Sequence, residues 1–246
     1  MKNIISKIQS QLNKCEENYL IIRPTVYVII FSPFIIVFLF SLFYAIPETR
    51  PAAKWMILEN HPVELLTFIS LFSAGILGWI LFRKTKKYGE SIFVYGFYAM
   101  FSAGLFFVAM EEISWGQWFF GFRTPETIGA VNAAGEFNFH NMPALWTTFE
   151  SLRVTFGIGG LIGVWFSTLQ FTRKIGASAI LSPWFVFVAI IAALDLYNYY
   201  TPPDNLFNLG AAKLVEVLEL LIGLSAFLYM WLNQRMLSSE WGNRVK

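Results

Sequence analysis

The stretch TVYVIIFSPFIIVFLFSLFYAI (residues 25–46) carries no charged side chain. It is long enough to cross a hydrocarbon core of about 30 Å as one helix, which needs about 20 residues. Basic residues precede it, as they precede a signal peptide, but the apolar run is too long and no clear cleavage site follows. The sequence therefore predicts a membrane anchor that is retained.

The composition of the whole chain agrees with this reading. Apolar residues make up 56%, aromatic residues 18% and charged residues only 14%. A soluble protein of this size needs more charge on its surface, so the apolar excess is expected to face membrane lipid. The formal net charge is +2, and no basic cluster is interleaved with aromatics, which argues against nucleic-acid binding. Cys15 is the only cysteine, so neither an internal disulfide nor a thiolate metal cage can form.

Six apolar segments predict an all-α integral membrane protein with one bundle of six transmembrane helices. We place the spans at 25–46, 63–82, 91–113, 154–172, 180–200 and 211–233. The fourth helix can begin earlier, with Pro143 in its first turn. The transmembrane domain would then cover 25–233 and include an outer loop at about 121–150.

The segments that flank this domain are expected on the cytoplasmic side. Residues 1–24 predict an amphipathic segment, because Ile4, Ile5, Ile8 and Leu12 recur at helical spacing. Residues 234–246 predict a tail. If the spans alternate, thirteen basic residues lie on the side of the N-terminus and five on the other. Basic residues stay in the cytoplasm, so both termini are predicted there.

Carboxylates gather near the outer ends of four predicted spans: Glu64, Glu111, Glu112, Asp195, Glu216 and Glu219. An ionised group within a transmembrane helix costs roughly 2.5–3.5 kcal/mol on insertion scales, and such groups usually face the bundle interior or a watery cavity. The pattern predicts a shared polar pocket on the outer side of the membrane.

Some of these carboxylates also have a structural explanation. Glu64 is close to a helix start, where an acidic side chain favours the dipole. Glu219 is within reach of a basic partner, either Lys213 or Arg153. Glu111 and Glu112 are about 100° apart on a helix, so both cannot face the pocket equally.

The predicted outer loop brings further polar groups to this side. In GEFNFHN (135–141), alternation would put Glu136, Asn138 and His140 on one side of an extended segment. Thr124-Pro125-Glu126 predicts a helix start with Thr124 as its cap. Histidine is a common proton shuttle and metal ligand, so we expect the loop to cover the pocket and contribute to its chemistry.

These observations assign roles to particular residues. The predicted catalytic residues are Glu111, Glu112, His140 and Asp195. The predicted substrate-binding residues are Asn138, Asn141, Asn198, Trp115 and Gln117. A divalent cation (Mg²⁺, Mn²⁺, Ca²⁺ or Zn²⁺) would be held by Glu112, His140, Asp195, Glu216 and Glu219.

Three motifs together resemble those of an uncharacterised family of bacterial multi-pass membrane proteins. They are EEISWGQ (111–117), TPE (124–126) and GEFNFHN (135–141). The resemblance implies that the end of the third span and the following loop form one unit. It also implies that the protein lies in a bacterial inner membrane, with the predicted pocket on the periplasmic side. It implies no activity.

Three functions are compatible with this pattern. The first is a membrane enzyme, a hydrolase or transferase that acts on a lipid or lipid-linked substrate at the outer leaflet. The second is a non-catalytic assembly subunit that docks a membrane-protein partner or another copy of itself. The third is a cation- or proton-coupled transporter, which the one-sided placement of the acids and the lack of matched broken helices disfavour. Convergence of the carboxylates on a cavity open to lipid would favour the enzyme.

Overall fold

The computed structural model describes residues 2–201 and 214–244, and within them all regular structure is helical. The longer helices are α1 (Lys2–Tyr19), α2 (Arg23–Ala45), α4 (Pro62–Lys87), α5 (Ile92–Glu112), α8 (Trp146–Phe166), α9 (Ser182–Tyr200) and α10 (Val215–Arg244). Short helices α3 (Arg50–Met56), α6 (Gln117–Phe120) and α7 (Glu126–Gly129) lie between them. The all-α prediction is confirmed for the described residues. The predicted start of the fourth span is also confirmed, since a 3-10 turn at Pro143–Leu145 leads into α8.

Five helical segments are long and apolar enough to cross a membrane: Arg23–Ala45, Pro62–Lys87, Ile92–Glu112, Ala179–Tyr200 and Val215–Asn243. They indicate a multi-pass membrane protein. The predicted span 154–172 is not among them. Its helix, α8, carries Glu150 and Arg153 together with several glycines, which lowers its mean hydropathy, and it ends at Phe166. Residues 211–213 of the last predicted span lie outside the described residues.

Helices α4 and α5 pack along each other and are joined by a short connection between Lys87 and Ile92, so they are antiparallel. Helix α10 also packs against α4. At one end of the bundle Arg235 of α10 donates to the carbonyl oxygen of Tyr19, 2.7 Å away, so α1 and the last part of α10 meet there. We call this the terminal end. The opposite end, which holds residues 113–145, is the loop end.

Glycines let α8 and α9 pack closely. A Cβ on Gly157 would lie 2.6 Å from the backbone nitrogen of Ala189, and one on Gly160 would lie 2.1 Å from Phe185 Cδ1. Gly160 comes after Gly157 in α8, but its contact, Phe185, comes before Ala189 in α9, so the two helices are antiparallel. Helix α8 therefore runs alongside α9, which is one of the five apolar segments.

We expect Gly157→Ala to destabilise the protein by about 1–3 kcal/mol, because the new methyl group meets backbone atoms that cannot rotate away. Gly159→Ala is a matched control, since its Cβ would meet nothing within 4 Å. Both changes share the same gain in helix propensity. Chemical unfolding in detergent measures the difference between them, and equal stability of the two variants would contradict the packing argument.

Polar side chains close the terminal end of the bundle. The hydroxyl groups of Tyr98 and Tyr229 donate to the carbonyl oxygens of Lys174 and Ile175, each at 2.6 Å. Asn233 Nδ2 donates to Tyr98 Oη at 3.1 Å. These contacts tie α5, α10 and the turn before α9 into a packed core. The candidate functional residues lie at the other end.

Candidate functional site

Glu111 joins the end of α5 to the loop that follows. Its side chain is 2% exposed. One carboxylate oxygen accepts the indole N–H of Trp115 at 2.6 Å. The other accepts the backbone N–H groups of Phe139 at 2.6 Å and His140 at 3.2 Å. The structure thus confirms that the end of this helix and the GEFNFHN segment form one unit.

A second network begins at Ser114, which with Trp115 adopts the left-handed backbone region (φ 47° and 56°). Such conformations cost of order 1–3 kcal/mol and persist where the surroundings impose them. Here Ser114 Oγ donates to Glu136 at 2.5 Å, and Asn138 Nδ2 donates to Ser114 Oγ at 2.9 Å. Asn132 Nδ2 donates in turn to Asn138 Oδ1 at 2.8 Å. The strained turn is held by buried side chains of the loop.

Gln117 links the same loop to α7. It donates to Thr124 Oγ1 at 2.7 Å and accepts the backbone N–H of Phe137 at 2.8 Å. Thr124 Oγ1 donates to the Gly135 carbonyl oxygen at 2.8 Å. A helix does start at Glu126 as predicted, but the predicted cap is wrong, because no side chain caps α7 and the Thr124 hydroxyl is used across the loop.

The predicted extended conformation of 135–141 is also wrong. Bends and turns replace it, since the carboxylate of Glu111 and the side chain of Asn132 draw the backbone inwards. The polar groups of Trp115, Gln117 and Asn138 make internal hydrogen bonds that hold this loop. Their assignment as substrate-binding residues stays a prediction.

Replacing Glu111 with alanine should loosen the loop, because two backbone N–H groups and an indole N–H lose their acceptor. An unsatisfied buried donor costs about 1–3 kcal/mol, so hydrogen exchange of residues 132–142 should accelerate about tenfold or more. Glu126→Ala removes an exposed carboxylate from the same loop and is the control. Unchanged exchange in the Glu111 variant would show that the loop is held by other contacts.

Arg153 of α8 is the centre of a buried charge cluster. Its guanidinium lies 2.5 Å from Glu150 and 3.8 Å from Asp195, and it also donates to Glu219. The cluster joins α8, α9 and α10, and its side chains are 13–17% exposed. The interpretation of Glu219 as a partner of Arg153 is confirmed. Glu150 was missed, although its spacing of three from Arg153 on a helix is a pairing signal.

Glu112 faces a different direction from its neighbour Glu111. It approaches the carboxylates of Glu64, Glu216 and Glu219 rather than the loop. The angle between adjacent helical positions explains this division, as predicted. Glu64, at the start of α4, accepts the backbone N–H of Asn60, which agrees with its interpretation as a helix-start residue.

His140 lies between Glu111 and the charge cluster around Arg153. Its Nδ1 lies 3.8 Å from the Glu111 carboxylate, and its side chain is 22% exposed. Burial lowers the pKa of His140, but the carboxylates of Glu111 and Glu219 raise it more, so the pKa lies above its ordinary value. Nearby, Asn141 Nδ2 donates to Glu59 at 3.1 Å. Burial and the Glu136 carboxylate raise the pKa of Glu59.

A crevice separates α5 from α8, which do not pack against each other along their lengths although both are fully described. A cavity of about 330 Å³ reaches the loop end, where Glu111, Glu112, His140, Arg153 and Glu219 line it. A second, apolar cavity of about 570 Å³ continues towards the terminal end. Both are lined by Phe101, Leu152 and Phe156. The crevice is thus apolar for most of its length and charged at one end.

A third cavity of about 300 Å³ adjoins the charged end of the crevice. Its lining includes Glu59, Glu64, His140, Asn141, Glu150, Arg153, Glu216 and Glu219. Asn198, one turn after Asp195, has a buried Nδ2 without a hydrogen-bond partner in the described part of the chain. The structure therefore gathers the predicted carboxylates of four helices around Arg153 and His140.

The described residues contain no group of three or more His, Cys, Asp or Glu side chains placed to hold a metal ion. Of the predicted ligands, Asp195 and Glu219 approach the Arg153 guanidinium, and His140 approaches Glu111. Asp195 and Glu219 thus already face a positively charged side chain. The metal assignment, which also includes Glu112 and Glu216, stays a prediction.

Comparison with family models, curated proteins and solved structures found no match to this chain.

Proposed function

We propose that α8 is a sixth crossing and that both termini are cytoplasmic. The antiparallel packing of α8 along α9 supports six crossings, because it gives α8 the length and direction of its neighbours. The meeting of α1 with α10 supports placing both ends of the chain on one side. The excess of basic residues on that side supports the cytoplasm, and the loop end then faces the outer leaflet.

We further propose that the protein is a membrane enzyme that acts on a lipid or lipid-linked substrate. The observation that carries this proposal is the crevice between α5 and α8, which is apolar along its length and charged at the loop end. Its α5 wall runs from Phe93 to Val108, roughly 22 Å at 1.5 Å per residue. That is most of a hydrocarbon core of about 30 Å, so one long acyl or isoprenoid chain fits the dimensions.

The opening of the crevice supports entry from the bilayer. Met100 and Leu152 line opposite walls, and they are 79% and 55% exposed. A lipid can therefore enter sideways between α5 and α8 without leaving the membrane. Its head group would then lie beside His140 and Glu112.

In this proposal His140 exchanges protons with the substrate head group. Glu111 faces the Nδ1 side of the ring, which leaves Nε2 as the nitrogen for proton transfer. Positioned acid–base groups of this kind typically contribute 10²–10⁴-fold to rate, in the range of ~3–5 kcal/mol. Glu112 and the Arg153 cluster bind the head group, and Asp195 and Asn198 support that cluster.

The binding half of the proposal can be tested with a single-chain amphiphile that carries a diazirine in its chain. The full-length protein is reconstituted in vesicles that contain the probe and irradiated, and labelled peptides are mapped by mass spectrometry. We expect enrichment at Phe101, Leu152 and Phe156. Labelling spread evenly over all the lipid-facing helices would overturn lateral binding in the crevice.

The catalytic half needs a separate assay. Wild-type protein and the His140→Gln variant are incubated in vesicles made from a natural lipid extract, and all the lipids are then quantified. We expect one lipid class to be consumed by the wild type and not by the variant. An unchanged lipid composition, with crevice labelling intact, would favour a binding or assembly role over an enzyme.

A further inference from the structure

In the described part of the chain, the charged end of the crevice and the adjoining polar cavity are lined by many more carboxylates than basic groups. Among the described residues, Arg153 and His140 are the basic side chains that line the two cavities. Arg153 already faces Glu150, Glu219 and Asp195. His140 faces Glu111. Neither basic group lies in an ion pair with the remaining carboxylates.

Glu112 is the clearest of these remaining carboxylates. Glu112 is 8% exposed and lines the crevice. Its carboxylate has no hydrogen-bond or ion-pair partner within residues 2–201 and 214–244. The neighbouring carboxylates of Glu64, Glu216 and Glu219 repel its charged form. The Arg153 guanidinium attracts it, but that group already faces three other carboxylates. A buried carboxylate without a counter-ion is ordinarily neutralised by a proton, and a cationic ligand in the cavity would take the place of that proton.

We infer that the head group received by the crevice is a cation, a protonated amine carried by the lipid, and that Glu112 is its main ligand. This inference rests on the proposed binding of a lipid in the crevice and specifies the chemistry of its head. An ammonium group donates up to three hydrogen bonds, and Glu112, Glu216 and Glu64 offer carboxylate acceptors around one region. A purely anionic head group would meet the same carboxylates with like charge.

The geometry also assigns the two parts of the ligand to different surfaces. The chain lies along Phe101 and Phe156, where the walls are apolar. The amine lies at Glu112, at the boundary between the crevice and the polar cavity. Selection among lipids with the same chain then depends on the head group, because apolar walls contact every chain alike.

The experiment uses three photoreactive probes with the same hexadecyl chain and either an amine, a hydroxyl or a carboxylate head. Each is present at the same mole fraction in neutral vesicles that contain the full-length protein. A hydrogen bond to a charged group is stronger than a neutral one, so the amine probe should label the crevice peptides about tenfold more than the hydroxyl probe. The carboxylate probe should label them least.

Two glutamine variants locate the preference. Glu112→Gln keeps the shape of the side chain and removes its charge, so the amine and hydroxyl probes should label it to within about twofold of each other. Glu126→Gln removes an exposed carboxylate of the loop and should retain the wild-type preference. The comparison of probes on the wild-type protein alone keeps the test valid even if the Glu112 variant folds poorly.

The remaining outcomes separate this inference from the function on which it rests. Equal crevice labelling by the three probes would overturn the amine head group while leaving lateral lipid binding intact. No crevice labelling by any probe would overturn the proposed function itself. An amine preference that persists in Glu112→Gln would overturn Glu112 as the ligand. Suppression of amine labelling by added Mg²⁺ alone, without effect from Na⁺ at equal ionic strength, would replace the amine with a divalent cation.

Discussion

Arg153→Met should lower the free energy of unfolding by about 3–5 kcal/mol, the largest loss of stability that we expect from a single substitution. Removing one partner of a buried ion pair leaves an uncompensated charge, which costs far more than the pair contributes. Arg153 contacts three carboxylates, and all four side chains are no more than 17% exposed. Methionine preserves much of the volume, so the effect reports charge rather than a cavity.

The control for this prediction is Arg123→Met, which removes an exposed arginine from the loop end. Chemical unfolding of both variants in the same detergent gives the comparison. Acidification should reduce the deficit of the Arg153 variant, since protonation removes the unpaired carboxylate charge. A deficit that is equal for the two arginines, or that does not change with pH, would show that the Arg153 cluster is not held by its charge.

Much of the fold was predictable because a bilayer constrains sequence strongly. A run such as 25–46 has no other stable arrangement, since backbone polar groups in lipid must be satisfied within the helix. Helix α8 was harder to recognise as a membrane span, because its close packing through Gly157 and Gly160 needs glycines, which lower the mean hydropathy of the helix. The start of that helix could still be predicted, since Pro143 favours a first turn.

The candidate site was predictable in its location but not in its pairing. Carboxylates at one depth on four helices could be counted in the sequence, and the structure brings them together. The division between Glu111 and Glu112 was expected from helix geometry, but which one faces the loop depends on helix rotation. The partners in the loop were not predictable, because the bends at 135–141 are set by long-range contacts such as Phe139 to Glu111.

The crevice itself had no sequence signal. It exists because α5 packs on α4 while α8 packs on α9, which leaves a gap between the two pairs. Gly104 lines that gap, and a Cβ there would meet nothing within 4 Å. Gly104 is thus not required for helix packing, and a larger side chain there can test whether the gap binds lipid.

Gly104→Leu should therefore block the crevice without disturbing the helix bundle. The leucine side chain would fill space beside Leu105 and Val108, close to the charged end, where a bound chain has to pass. Forcing extra side-chain atoms into occupied space typically costs about 1–3 kcal/mol, so labelling of the crevice by the diazirine probe should fall about tenfold. Consumption of lipid should fall with it, because the head group can no longer reach His140.

Gly96→Leu provides the matched control on the same helix. A Cβ at Gly96 also meets nothing within 4 Å, but Gly96 lines neither of the two crevice cavities. Both variants add the same apolar side chain to α5 and gain the same helix propensity, so they differ only in where the leucine points. If both variants lose labelling equally, the loss comes from α5 as a whole; if neither does, lipid binds elsewhere. Loss in the Gly104 variant alone identifies the gap between α5 and α8 as the entry for lipid.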